Sequence, residues 1–141
     1  MNGDQCFKWE PTTAVDRACA DIFFSYDAPH VLVVRMQYSR AAGNPEYDLQ
    51  LTFRGAIAVR WEEEAFGLNP LPEQRPLTSD GKWTFPLLVI EQSTWLREYH
   101  DRHPVAAASR QHFAMVSMND LLQVLALPDP RAEWIRGEHA A

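Results

Sequence analysis

The sequence predicts a single α+β domain, residues 1–141, with a twisted, mainly antiparallel sheet of about six strands and one helix near residues 93–103. Two observations carry this prediction. Between residues 47 and 61, apolar and mostly polar positions alternate, as they do on a half-buried strand. Short apolar segments separated by turn residues also recur along the chain, without the strand–helix alternation of a doubly wound nucleotide-binding fold.

The composition favours one domain that needs no metal or disulfide. A chain of 141 residues with 46% apolar residues and five Trp is long enough to bury a substantial core. No basic region followed by an apolar stretch begins at Met1, so we expect no signal peptide and a cytoplasmic protein. In that compartment Cys6 and Cys19 are expected to be free thiols.

The charge indicates which partners are expected. The formal net charge of −6 argues against nucleic acids and anionic membrane surfaces, because both recruit a Lys- and Arg-rich surface. The same charge is compatible with a basic protein partner.

The first half of the chain is predicted to hold three strands. Residues 1–18 are weakly patterned and are expected to pack at the domain edge. Residues 19–26 and 30–38 form two strands separated by turn residues, and the second is apolar on both faces, which is typical of a central strand. The third is a long strand at residues 47–63, bent at Gly55.

The second half is predicted to contain an irregular arm at residues 65–82, a buried strand at 85–92 and a final hairpin. Its two strands are residues 112–117 and 121–127. The tail beyond Pro128 is predicted to dock as a short helix.

The predicted helix has a clear start and stop. Ser93 is a favourable N-cap residue, and Trp95, Leu96 and Tyr99 follow at helical spacing. Pro104 ends the helix, because its ring is incompatible with a helix interior.

Three histidines are the candidates for chemistry. His100 and His103 are three residues apart at a helix end, and His112 follows. A histidine pair that binds zinc from one helix face needs a spacing of four, so we predict no metal site, no cofactor and no catalytic residue. We expect a protein that is not an enzyme, with no catalytic motif around Ser93.

An acidic run beside an aromatic residue is the candidate for partner binding. Carboxylates next to an exposed tryptophan suit the Lys or Arg side chains of a protein partner. The predicted contact residues are Trp61, Glu62, Glu63 and Glu64, with Glu91 and Trp95 as a second group.

Three segments carry a family resemblance. They are F-R-G-A-I-A-V-R-W-E-E-E at residues 53–64, P-L-L-V-I-E-Q-S-T-W-L at 86–96 and R-Q-H-F-A-M-V-S-M-N-D-L-L-Q-V-L-A at 110–126. Together they resemble small bacterial proteins of the immunity-protein type from polymorphic toxin systems, over residues 47–126. The resemblance implies a protein that binds and blocks a cognate toxin, and it implies no catalytic residue.

Three functional hypotheses follow. The first is a non-enzymatic, immunity-like inhibitor that occludes the basic face of a bacterial toxin domain. The alternative is a small-molecule or metal-binding domain, or a small enzyme, that uses His100, His103 and His112. A third is a homodimer that exchanges the arm at residues 65–82 between subunits, which is compatible with the first.

Overall fold

The computed structural model describes residues 3–38, 47–63 and 71–136. These residues form nine strands and two helices. They are β1 (Gln5–Lys8), β2 (Cys19–Ala28), β3 (Val31–Tyr38), β4 (Tyr47–Arg54), β5 (Ala58–Glu63), β6 (Leu87–Glu91), α1 (Thr94–Arg102), α2 (Pro104–Ala107), β7 (Gln111–Val116), β8 (Asp120–Ala126) and β9 (Arg131–Arg136).

The strands divide between two antiparallel sheets. One has five strands in the order β1-β6-β7-β8-β5, and the other has four in the order β2-β3-β4-β9. The predicted antiparallel architecture is confirmed, but the prediction of about six strands and one helix undercounts both. The chain crosses between sheets at tight corners, which a local alternation pattern does not reveal.

Gly55 forms one of these corners. The predicted long strand divides there, because β4 belongs to the four-stranded sheet and β5 to the five-stranded sheet. Gly55 has a φ of 59°, and a Cβ at this position would lie 2.8 Å from Cγ of Leu127. Only glycine fits such a left-handed corner against a neighbouring side chain without strain.

Aromatic rings fill the space between the sheets. Trp9, which follows β1, lies 4.9 Å from the ring of Phe113 in β7 and 6.0 Å from that of Phe53 in β4. The Phe53 and Phe113 rings are 5.3 Å apart, and both are almost fully buried. The core therefore lies between the two sheets, and residues of both contribute to it.

Helix α1 packs on the other face of the five-stranded sheet, as its contacts with β5 and β7 show. The Ser93 hydroxyl accepts a hydrogen bond from the Leu96 N–H at 3.0 Å, which confirms the predicted N-cap. The Tyr99 hydroxyl donates to the Ile57 carbonyl, and the Trp95 ring meets the edge of His112. No helix in the described ranges is long and apolar enough to cross a membrane.

Both ends of the chain differ from the prediction. The tail was predicted as a short helix, and that is wrong: β9 pairs with β4, with Trp134 opposite Leu49. Near the other terminus β1 pairs with β6. Each is an edge strand whose partner is distant in the sequence, so local periodicity gives little signal. Of the predicted arm at 65–82, residues 65–70 lie outside the described residues.

Candidate partner-binding site

Trp61 lies on an edge strand and remains half exposed. It is in β5, the last strand of its sheet, opposite Leu122 of β8. Leu122 is completely buried, whereas 46% of the Trp61 surface is accessible. A large aromatic side chain in this position offers an apolar contact surface to a partner.

Three carboxylates from different strands lie near one another beside this tryptophan, and Asp120 interacts with the other two and with Trp61. Glu63 of β5 lies directly opposite Asp120 of β8, and the side-chain amide of Asn119 donates to Asp21 of β2 at 3.4 Å. We call Asp21, Trp61, Glu63 and Asp120 the hairpin-end cluster, because they meet beside the β7–β8 turn.

The charges in this cluster oppose one another. Burial raises the pKa of Asp120, and the negative charges of Asp21 and Glu63 raise it further. A hydrogen bond from the Trp61 indole to the Asp120 carboxylate acts in the opposite direction. Like charges placed across a strand pair repel, so a cation bound here would relieve the repulsion.

The structure separates the predicted contact residues. Glu62 alternates with Trp61 and Glu63 along β5, and Glu64 lies outside the described residues. Glu91 ends β6, far along the sheet from Glu63. The strand pairings place its neighbour Ile90 level with Ala58, through His112 of β7 and Leu125 of β8. Three strand spacings and about six residues therefore place Glu91 roughly 25 Å from Glu63.

Trp95 belongs to another environment. It lies on α1, where the Arg60 guanidinium stacks over its ring at 4.1 Å. Arg60 precedes Trp61 in the same strand and so projects from the opposite face. The two predicted tryptophans therefore lie on opposite sides of β5, and only Trp61 belongs to the hairpin-end cluster.

Sequence reasoning missed Asp21 and Asp120. Asp120 was assigned to the hairpin turn and Asp21 to an ordinary strand, and neither has a local pattern that marks it. The two come together because β2 starts beside the β7–β8 turn, where the Met118 N–H donates to the Cys19 carbonyl. That contact spans 99 residues of sequence, so no short motif encodes it.

A buried chain of hydrogen bonds fixes His112. Its Nδ1 lies 2.6 Å from the Ser93 hydroxyl, and its Nε2 lies 2.7 Å from Oε1 of Gln123. The amide oxygen can only accept, so Nε2 carries the proton and Nδ1 accepts from Ser93. Burial lowers the pKa of His112 to about 4, and the neutral ring fits both bonds.

These hydrogen bonds account for the burial of His112 without a catalytic or metal-binding role. A serine beside a histidine is the pair that nucleophilic catalysis uses, but Ser93 is buried and already caps α1. Both His112 nitrogens are occupied, so neither has a lone pair for a metal.

The other two candidate histidines lie on the helical side of the molecule. His100 lines an open groove of about 390 Å³ with Arg97 and Arg110, and the His103 ring packs 5.0 Å from that of Tyr99. No group of three or more metal-ligating side chains occurs in the part of the chain that the structure describes.

Comparisons with known proteins found no match for this chain. No protein-family model, curated protein or solved structure matches this chain.

Proposed function

We propose that this protein is a non-enzymatic binding module for a basic protein partner. One observation carries the proposal: Asp120 lies beside the half-exposed Trp61 and interacts with two further carboxylates, one from each sheet. Burial and the repulsion from those two carboxylates raise the pKa of Asp120. A Lys or Arg side chain of a partner would neutralise this repulsion and pack its alkyl stem or guanidinium on the indole.

The charge of the whole chain supports the same partner. A net charge of −6 attracts a basic surface before contact and so accelerates encounter. An aromatic residue flanked by charges then provides the type of central contact that dominates interface free energies. The proposal places Trp61, Glu63, Asp21 and Asp120 in the contact, with Glu62 on the opposite face of β5.

More specifically, we propose an immunity-like inhibitor of a bacterial toxin. The resemblance at residues 53–64, 86–96 and 110–126 supports this class, whose members act by occluding a toxin. The mechanism is steric and electrostatic: the hairpin-end cluster covers the basic face on which the toxin binds its substrate. Inhibition then requires affinity and fit, and no catalytic residue.

An affinity pull-down with matched variants tests the proposal. The wild-type chain is compared with a Glu63→Gln/Asp120→Asn variant and with a Glu98→Gln/Asp101→Asn control, whose two substitutions lie on exposed positions of α1. All three are incubated with native lysate, and the captured proteins are identified by mass spectrometry. Wild type and control should retain a basic protein that the cluster variant loses.

A second step tests inhibition directly. The captured protein is expressed with and without this chain, and growth is measured. Protection by wild type that fails in the cluster variant supports the immunity role. Equal capture by wild type, the cluster variant and a charge reversal of Glu62, Glu63 and Glu64 contradicts the site. A partner-free protein that carries stoichiometric zinc favours the histidine-based alternative instead.

A further inference from the structure

The sandwich is open along one side, between β2 and β5. Each is the terminal strand of its sheet, and no strand in the described part of the chain pairs with its outer edge. At one end Asp120 interacts with Asp21 of β2 and Glu63 of β5. At the other end burial raises the pKa of Tyr26, and nearby Tyr99, which binds the Ile57 carbonyl, raises it further. We call this open side the seam.

Core-facing aromatic residues are exposed along the seam. The strand registers pair Phe24 with Val34, Tyr26 with Leu32 and Trp61 with Leu122. The three aliphatic partners are completely buried, but Phe24, Tyr26 and Trp61 are 40%, 51% and 46% exposed. Residues paired in this way project from the same face of a sheet. The core is therefore left uncovered at this side of the molecule.

The charges of the seam select its occupant. β2 carries Asp21 and Asp27 and no basic residue. The single basic residue of β5 is Arg60, which stacks over Trp95 on the face of β5 that points away from the seam. A second copy of this chain paired edge to edge would bring carboxylates against carboxylates. A segment that carries Lys or Arg would meet complementary charge.

The β2 edge has few of the features that block strand addition. Its register with β3 is regular from Asp21 to Tyr26, with irregularities only at the two ends. This stretch contains no Pro and no Lys, the residues that usually protect exposed edges. The unpaired backbone groups of such an edge can hydrogen-bond to an extended chain.

We infer that an extended, basic segment of the partner adds as a strand to the β2 edge and closes the seam. Its apolar side chains cover Phe24, Tyr26 and Trp61 on the core-facing side. Its alternating cationic side chains meet Asp21 on the other face of β2, and a cationic residue at its end reaches Glu63 and Asp120. This inference rests on the proposed function, because it specifies how the basic partner is held.

Synthetic peptides of the same length as β2 test the binding mode without the natural partner. One alternates lysine with valine, and one alternates glutamate with valine. A third is the lysine peptide with methylated backbone nitrogens, which keeps the charge but removes the hydrogen-bond donors. Titration calorimetry should show binding by the first, about tenfold or more weaker binding by the third, and no binding by the second. The lysine peptide should also slow amide hydrogen exchange at residues 21–26.

Two substitutions on neighbouring positions of β2 provide a matched pair. Phe24→Ser removes a seam-facing ring that is 40% exposed, and Phe23→Ser removes a ring that is 53% exposed and projects from the opposite face. Phe24→Ser should weaken the lysine peptide about tenfold, whereas Phe23→Ser should leave its affinity unchanged. Circular dichroism checks that both variants are folded.

The outcomes separate this inference from the proposed function. Equal affinity of the methylated peptide, binding of the glutamate peptide, absence of any peptide binding, or a dimer paired through β2 would each overturn the strand-addition mode. A basic protein captured through the hairpin-end cluster would still support the proposed function in those cases. Peptide binding without capture of a basic protein would support the seam and contradict the proposed function.

Discussion

Lowering the pH should destabilise this protein through His112. The ring is buried against Ser93 and Gln123, and its two nitrogens form one donated and one accepted hydrogen bond. A second proton on Nδ1 would turn the acceptor into a donor opposite a hydroxyl that already accepts the Leu96 N–H. Protonation therefore reverses the direction of this bond, so that the Ser93 hydroxyl must accept twice and its own proton loses its acceptor, and it introduces a buried charge.

The direction and size of the effect follow from linkage. Burial lowers the pKa of His112 in the folded chain from its ordinary value of 6.5 to about 4. Between these values the unfolded chain binds a proton that the folded chain does not. The stabilisation is therefore complete above pH 6.5 and is lost as the pH falls towards 4. The loss amounts to about 3 kcal/mol, a large fraction of a typical unfolding free energy.

Urea denaturation at a series of pH values measures this loss. Tryptophan fluorescence reports unfolding, and linear extrapolation gives the unfolding free energy at each pH. His112→Asn is the matched variant, because its amide does not titrate in this range. It should be less stable at neutral pH, since the Gln123 oxygen loses a donor, at a cost of about 1–3 kcal/mol.

The difference between wild type and His112→Asn isolates the titration. Contributions from other groups occur in both proteins and cancel, so the two free energies should converge as the pH falls from 6.5 to 4. Parallel pH profiles would refute the argument. They would mean that His112 takes up its proton in the folded state as readily as in the unfolded chain.

Three further predictions concern the corner, the cluster and the core. Gly55→Ala should lower the unfolding free energy by about 2–3 kcal/mol, because the new Cβ meets Leu127 at a positive φ. Gly81→Ala, at a positive φ with open space around it, should lose only about 1 kcal/mol, and equal losses in urea denaturation would contradict the steric argument. Asp120→Asn should raise the unfolding free energy at neutral pH by about 0.5 kcal/mol in low salt, since burial and the charges of Asp21 and Glu63 disfavour the ionised group in the folded chain. Salt should reduce this gain, and a gain unaffected by salt would exclude the contribution of the two neighbouring charges. In a Cys6→Ser variant, Cys19 should react with iodoacetamide only on unfolding, because burial raises the pKa of the thiol and hides it from the reagent. Mass spectrometry measures the labelling, and rapid labelling without urea would contradict the burial of Cys19.

The local elements of this fold are readable from the sequence. Ser93 and Pro104 delimit α1 because capping and proline chemistry act within a few residues. The alternation at residues 47–61 holds within each strand on either side of Gly55: Leu49, Leu51 and Phe53 of β4 are buried, and Val59 of β5 packs against the core. At the corner itself the buried residue is Ala56. The division into two sheets was not predictable in this way. It depends on which strands pair, and β4 finds its neighbours in β3 and in β9, at the far end of the chain.

The candidate site was predictable only in part, for the same reason. Trp61 and Glu63 stand out because an aromatic residue precedes a run of carboxylates. Glu91 and Trp95 also follow an apolar strand, but sequence does not say at which end of a sheet, or on which face, a residue emerges. Asp120 joined the cluster through the pairing of β8 with β5 within one sheet, and Asp21 joined it through the contact of β2, in the other sheet, with the β7–β8 turn.

The carboxylates along the seam have two consequences that depend on one another. An exposed strand edge next to uncovered aromatic residues is a hazard, because copies of the chain can pair through it. Asp21 and Asp27 flank the regular part of β2, and Glu63 and Asp120 lie across from it, so approach of a second copy is opposed by like charge. The same charges favour a basic segment. Because the acidic residues prevent self-association, they leave the β2 edge available for a partner of opposite charge. The specificity of the seam therefore arises both from the copies it repels and from the basic segment it attracts.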